Sequence, residues 1–159
     1  WLQSYSLYLD NLSDWFTDHV SPEWNALRLK AMTVLQEESE LEEIVRLVGM
    51  DALSWKDRLT MEVARSVRED FLHQNAFDEV DTYTSLEKQY RMLRLILDYA
   101  DKGQAALDAG ANLSDVIGMP VRERIGRAKY IPEDSLIYFD EIESELAAQT
   151  SALINRGGL

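Results

Sequence analysis

Apolar residues recur at intervals of three and four along almost the whole chain, the spacing of one helical face. Leu2, Tyr5, Leu9, Leu12 and Phe16 make the first stripe, over residues 2–16, broadened by Trp1, Tyr8 and Trp15. Ser21-Pro22 marks the next start, because Ser accepts from orphan amides and Pro fits a first helical turn. Trp24, Leu27, Ala31, Val34, Leu41, Val45 and Val48 follow, interrupted at Glu38, as one long helix or two end to end. The outer face gathers Glu37, Glu38, Glu40, Glu42 and Glu43, an acidic run that reads as solvated surface. Gly49 predicts a C-terminal cap.

Asp51-Ala-Leu-Ser54 is a turn, and Ser54 with Asp57 resembles a capping box. Leu59, Val63, Val67 and Phe71 then predict a helix to about His73, followed by a loop over 74–83. Thr84-Ser-Leu-Glu87 matches a second capping box. Leu86, Tyr90, Leu93, Leu97, Ala100 and Leu107 predict the longest regular helix, stopped by Gly110. Gly103 within it costs up to about 1 kcal/mol relative to Ala unless a packed face offsets it. A short helix from Asn112 breaks at Pro120 and resumes through Tyr130, carrying Arg122, Arg124, Arg127 and Lys129 as a basic cluster. After Ile131-Pro132, Leu136, Phe139, Ile142, Leu146 and Leu153 give a last helix, ended at Gly157-Gly158. The expectation is an all-α chain, a single bundle of about five to seven helices.

Composition agrees. With 7 Gly and 3 Pro in 159 residues there are too few turn formers for a sandwich or barrel. The net charge of −13 argues against a nucleic-acid partner, which needs clustered Lys and Arg to displace counterions. The absence of cysteine removes disulfides, thiol nucleophiles and Cys-zinc sites, and suits a cytoplasmic protein. No apolar run approaches the roughly 20 residues needed to cross a bilayer. Trp rather than Met stands at position 1, so the chain is expected to be a piece of something longer.

Candidate chemistry is sparse. There is no phosphate-binding G-x-x-x-x-G-K-[ST] loop and no G-x-G-x-x-G. His19 and His73 lie far apart and suit surface or capping roles better than metal ligation. The acids fall on exposed helix faces, whereas acid–base catalysis needs a carboxylate in a dry pocket. No catalytic residue and no metal ligand is assigned. Phe77, in an otherwise polar connector, stands out. It either tucks into the core between two helices or forms an aromatic wall for a flat ligand, since a ring stacks on any base.

The stretch Phe71-Leu-His-Gln-Asn-Ala-Phe-Asp-Glu-Val-Asp-Thr-Tyr83, with Ser85-Leu-Glu-Lys-Gln-Tyr90, resembles the catalytic A (alpha) subunit of archaeal A-type and vacuolar V-type rotary ATPases. The likeness extends to Leu35–Gly49, Pro120-Val-Arg-Glu-Arg-Ile125 and Tyr130-Ile-Pro132, and covers residues 1–146. The match is to the C-terminal helical domain of that subunit, here spanning 1–159, with the nucleotide-binding domain upstream and absent. The resemblance implies that Phe77 lines an adenine pocket, with Gln74, Asn75 and Ala76 as neighbours of the base. It also implies that Gly49–Asp57 corresponds to the D-E-L-S-E-E-D lever of the F-type beta subunit. Asp51, Leu53, Ser54 and Asp57 match that lever, while Ala52, Trp55 and Lys56 depart from it. Trp55 at this turn either meets a partner or folds back on the bundle.

The implied parent couples ATP synthesis or hydrolysis to proton or sodium transport, using ATP or ADP with magnesium. Its implied partners are the B subunit, the central stalk and its own upstream domain, with a cytoplasmic place peripheral to the membrane. The chain alone is expected to be catalytically inactive and to hold no cofactor. The alternative is a stand-alone acidic adaptor that binds partner helices.

Overall fold

A computed structural model describes residues 8–157, and among these the chain forms seven α-helices. They are α1 (Leu9–His19), α2 (Trp24–Val48), α3 (Trp55–Ser66), α4 (Leu86–Asp108), α5 (Leu113–Ile117), α6 (Val121–Gly126) and α7 (Tyr138–Gly157). The described residues contain no strand, so the all-α expectation holds. Leu2 and Tyr5 of the first stripe, and Gly158 of the last stop, lie outside the described residues. The helix expected over 2–16 is described from Leu9 and continues to His19.

Helix α4 is the centre of the bundle, packed against α7, α3 and α2. Leu95, Ile96, Leu97 and Tyr99 are buried on it, facing Leu59, Val63 and Val67 from the α3 side and Phe139, Ile142 and Leu146 of α7. Each fully buried aliphatic or aromatic side chain contributes on the order of 1.5–3 kcal/mol relative to exposure. At Gly103, α4 lies close against α3 and α5. A Cβ there would meet Val116 Cγ1 at 3.1 Å and Leu59 Cδ2 at 3.3 Å. The packed face that was needed to offset the propensity cost is therefore present.

Helix α2 is a single continuous element of 25 residues, not two. Its interruption at Glu38 corrects the expectation of a purely solvated acidic face, because Glu38 is buried. Arg68 grips it with a two-pronged contact, Nε to Oε2 at 3.1 Å and Nη2 to Oε1 at 2.7 Å. The planar guanidinium matches both carboxylate oxygens, which is what lets a carboxylate leave water. Gly49 ends α2 at φ 88°, the left-handed region open to glycine.

The basic cluster near α6 is absorbed internally. Arg122 donates to Glu62 at 3.1 Å and Arg124 to Glu145 at 2.6 Å, while Arg127 lies 3.6 Å from Glu123. Arg122 also lies over the ring of Tyr99, whose buried hydroxyl has its pKa pushed up to about 12, chiefly by loss of solvent.

Candidate functional site

The two stretches singled out by sequence sit at opposite ends of one rod. Helix α3 continues without a break into a π-helical turn, Val67–Leu72. Twelve α residues and six π residues together span roughly 25 Å. The π turn is wide enough that the N–H of His73 donates to the carbonyl of Arg68, five residues back, at 2.9 Å.

The tip lies at the N-terminal end of this rod. Ser54 caps α3, its Oγ accepting from Asp57 N at 3.2 Å while Asp57 Oδ2 accepts from Ser54 N at 3.2 Å. The predicted capping box is thus formed, with Asp in place of Glu. Asp51 is exposed and receives Arg58 Nη2 at 3.3 Å. Leu53 is 5% exposed, so it anchors the turn in the bundle and its side chain is unavailable to a partner. Trp55 is 60% exposed and does not fold back. At the end of α2 and in the turn that follows it, Ile44, Leu47, Val48 and Met50 are also exposed. Ile44, Leu47 and Val48 fall at helical spacing, and Val48, expected on the apolar stripe of α2 with half-buried Leu41 and Val45, is exposed.

The loop follows the C-terminal end of the rod. Phe77 is 98% exposed, which removes the core alternative. It is held on a hydrogen-bonded scaffold. Asn75 Oδ1 accepts from Phe77 N at 3.1 Å, and Asp81 Oδ2 accepts from Asn75 N at 2.6 Å. Asp78 Oδ1 accepts from Val80 N and Asp81 N, each at 2.9 Å. Those two backbone donors, the Asp81 amide first, lower the Asp78 pKa below its usual value near 3.8. Gln74 is exposed, and its Nε2 donates to the Asp81 carbonyl at 2.6 Å. It lines a cleft of about 230 Å³ with Phe71, Leu72, Asp81, Thr84, Gln89 and Met92, beneath the loop and apart from the Phe77 ring. Ala76 is exposed beside Phe77.

Two lysines tie the loop to the bundle. Lys129 Nζ donates to the carbonyls of Glu69 at 2.9 Å and His73 at 3.3 Å, satisfying the end of the π turn. Lys88 is fully buried and donates to the Lys129 carbonyl at 2.7 Å. Burial pulls the Lys88 pKa down, opposed by the charges of Glu133, Asp81 and Asp78. The capping box predicted at Thr84–Glu87 shifts by one residue. Ser85 is the cap, accepting from Lys88 N at 3.1 Å, and the reciprocal acceptor is Glu133, which takes Ser85 N at 2.9 Å from 48 residues away. Asp81, Lys88 and Lys129 were missed as site-supporting residues. Asp81 is one more acid in an acidic stretch, and the lysines come together only in three dimensions.

No group of three or more His, Cys, Asp or Glu side chains suited to a metal occurs among the described residues. No described helix is long and apolar enough to cross a membrane.

The family described as the C-terminal domain of V and A type ATP synthase matches residues 13–117. The V-type ATP synthase alpha chain of Acetivibrio thermocellus is 61% identical over 155 residues, covering 97% of this chain and 26% of that protein. The protein of the same name in Clostridium botulinum is 57% identical over 159 residues, covering 100% of this chain and 27% of its own length. That of Clostridium perfringens is 56% identical over 159 residues, with the same coverage of 100% and 27%. The chain therefore spans about a quarter of the length of these curated relatives.

Proposed function

This chain belongs to the family of C-terminal domains of V and A type ATP synthases, and on that premise we propose that it is the mechanical arm of a rotary ATPase catalytic subunit. The observation that carries the proposal is the unbroken rod from the exposed tip at Trp55 to the loop that displays Phe77. One end offers a free aromatic face and the other an apolar knob, joined by a stiff element.

At the loop end, Phe77 stacks on the adenine of ATP or ADP, with Ala76 and Asn75 beside the ring. Gln74 stands next in the chain, its Nε2 bonded to the Asp81 carbonyl. The fit is to the flat part of a nucleotide alone. Phosphates and magnesium need a backbone cradle and oxygen ligands, and the part of the subunit beyond this chain would supply them. At the other end, exposed Trp55, Leu47 and Asp51 bear on the central stalk. Ser54 and Asp57 hold the turn in shape and Leu53 roots it. Closure of the neighbouring nucleotide site, at the contact with the B subunit, moves the loop. The rod carries that displacement to the stalk as a rigid body, and the assembled complex couples it to proton or sodium movement.

The chain alone hydrolyses no ATP on this account. Magnesium-dependent turnover that persisted through further purification would overturn it. The coding sequence ahead of Trp1 separates the arm from a free-standing adaptor. A phosphate-loop motif a few hundred codons upstream supports the arm, and a start codon immediately before Trp1 defeats it. The residue-level test is Phe77→Ala in the intact alpha chain, expected to weaken ATP binding by roughly 1–3 kcal/mol through lost stacking. Unchanged affinity in a nucleotide titration would remove Phe77 from the site.

A further inference from the structure

The exposure of Phe77 raises a question that its own chemistry does not answer: what keeps an unsupported ring in one place? A loop tip with no apolar contacts ordinarily moves freely. This one is closed from beneath by a single carboxylate. Asp81 is 2% exposed although it lies in a polar loop. Its Oδ2 accepts the Asn75 amide at 2.6 Å, and the Asn75 side chain in turn accepts the Phe77 amide at 3.1 Å. The Asp81 backbone closes a second ring, its carbonyl accepting from Gln74 Nε2 at 2.6 Å. Its amide closes a third, donating to Asp78 Oδ1 at 2.9 Å. Through its carboxylate, carbonyl and amide, buried Asp81 thus takes part in three of the hydrogen bonds that shape residues 74–81 beneath Phe77.

We propose that Asp81 is the positioning residue of the base-stacking loop, a buried latch that fixes the Phe77 ring relative to the end of the rod. This rests on Phe77 stacking on the base. The carboxylate does not touch nucleotide. It acts through Asn75, whose amide it holds and whose side chain holds Phe77. Because His73 is gripped by Lys129 two residues before Asn75, the latch also makes loop and rod move together. An exposed ring that is already in place loses less freedom on meeting a base, so the latch lowers the entropic cost of stacking. That is a uniform binding effect, felt in KM and not in kcat.

The test is a double-mutant cycle in the intact alpha chain assembled in its complex, reading kcat and KM for MgATP. Phe77→Ala is expected to raise KM roughly five- to hundredfold, the range of lost base stacking. Asp81→Asn should raise KM about two- to tenfold, because it removes a charge-assisted acceptor from the Asn75 amide. It should leave kcat within about twofold, as a loss of uniform binding does. In the Phe77→Ala background, Asp81→Asn should add nothing, because there is no ring left to place. Full additivity of the two changes, or an Asp81→Asn enzyme with unaltered KM, overturns the latch. A fall in kcat at constant KM overturns it as well, as the mark of a merely structural role. If Phe77→Ala alone leaves KM unchanged, the stacking reading itself is wrong, and that result is distinct from the others. Should Asp81→Asn fail to fold, Asn75→Ala at the exposed end of the same relay carries the cycle. A KM increase that vanishes in the Phe77→Ala background supports the latch, and one that persists there refutes it.

Discussion

The two ends of the rod display an exposed aromatic residue by opposite means. At the tip, Trp55 stands on a turn rooted by an apolar anchor, Leu53, and closed by a capping box. At the loop, Phe77 stands on a turn held by the carboxylates of Asp78 and Asp81 and the amide side chains of Gln74 and Asn75. An apolar anchor resists displacement in any direction, through close packing that salt and pH leave alone. A hydrogen-bonded latch fixes direction as well as position, and depends on its acceptors staying ionised. On the proposed reading, a part that pushes needs the first property, and a part that meets a flat base at one angle needs the second.

The largest test of this contrast is Leu53→Ala. It should cost about 2–5 kcal/mol in denaturant unfolding, the range for a buried leucine that leaves a cavity. A loss below about 1 kcal/mol would mean that Leu53 is not the root of the tip. Ser54→Ala comes next, at about 1 kcal/mol for a lost N-cap, with Ser54→Gly milder. Equal losses from Leu53→Ala and Ser54→Ala would place the cap, not the anchor, in control.

Acidification separates the ends without mutation. The folded pKa of Asp78 lies below its usual value, so the bonding of its carboxylate stabilises the loop at neutral pH. That contribution is lost as pH falls from about 3.8 through the folded value. Hydrogen exchange at Val80 and Asp81, corrected for the intrinsic rate, should lose protection on going from about pH 6 to about pH 3. The amide of Leu53, bonded to the Met50 carbonyl at 3.1 Å, has no titrating acceptor and should change less. Equal loss at both ends would break the contrast. The smallest effects should come from the displayed rings themselves. Trp55→Ala and Phe77→Ala are expected to shift unfolding free energy by no more than about 0.5 kcal/mol, as exposed side chains do. A larger loss for either would mean that it is part of the fold and not held out from it.

The elements that periodicity could resolve were legible in the sequence. Stripes at three and four placed α3, α4 and α7, because a face buried against one neighbour must repeat with the helix. Gly49 and the Ser54–Asp57 box were legible because caps are local, satisfied within four residues. The bounds that failed are those set from afar. The α4 cap moved from Thr84 to Ser85 because Glu133, 48 residues away, supplies the acceptor that a local Glu was expected to supply. Glu38 left the solvated face because Arg68 reaches it from another helix.

The site divides along the same line. Sequence by itself determined that the chain is helical, where a polar loop carries a phenylalanine, where a turn carries a tryptophan, and which family those motifs resemble. Each of these depends on neighbours along the chain or on residue identity alone. Tertiary structure decided which way each side chain goes: Phe77 and Trp55 outward, Leu53 inward, and Asp81 buried within the loop it shapes. Direction depends on what occupies the space around a residue. In a helical bundle that space is filled by elements tens of residues distant, whose approach is set by the packing of the core as a whole.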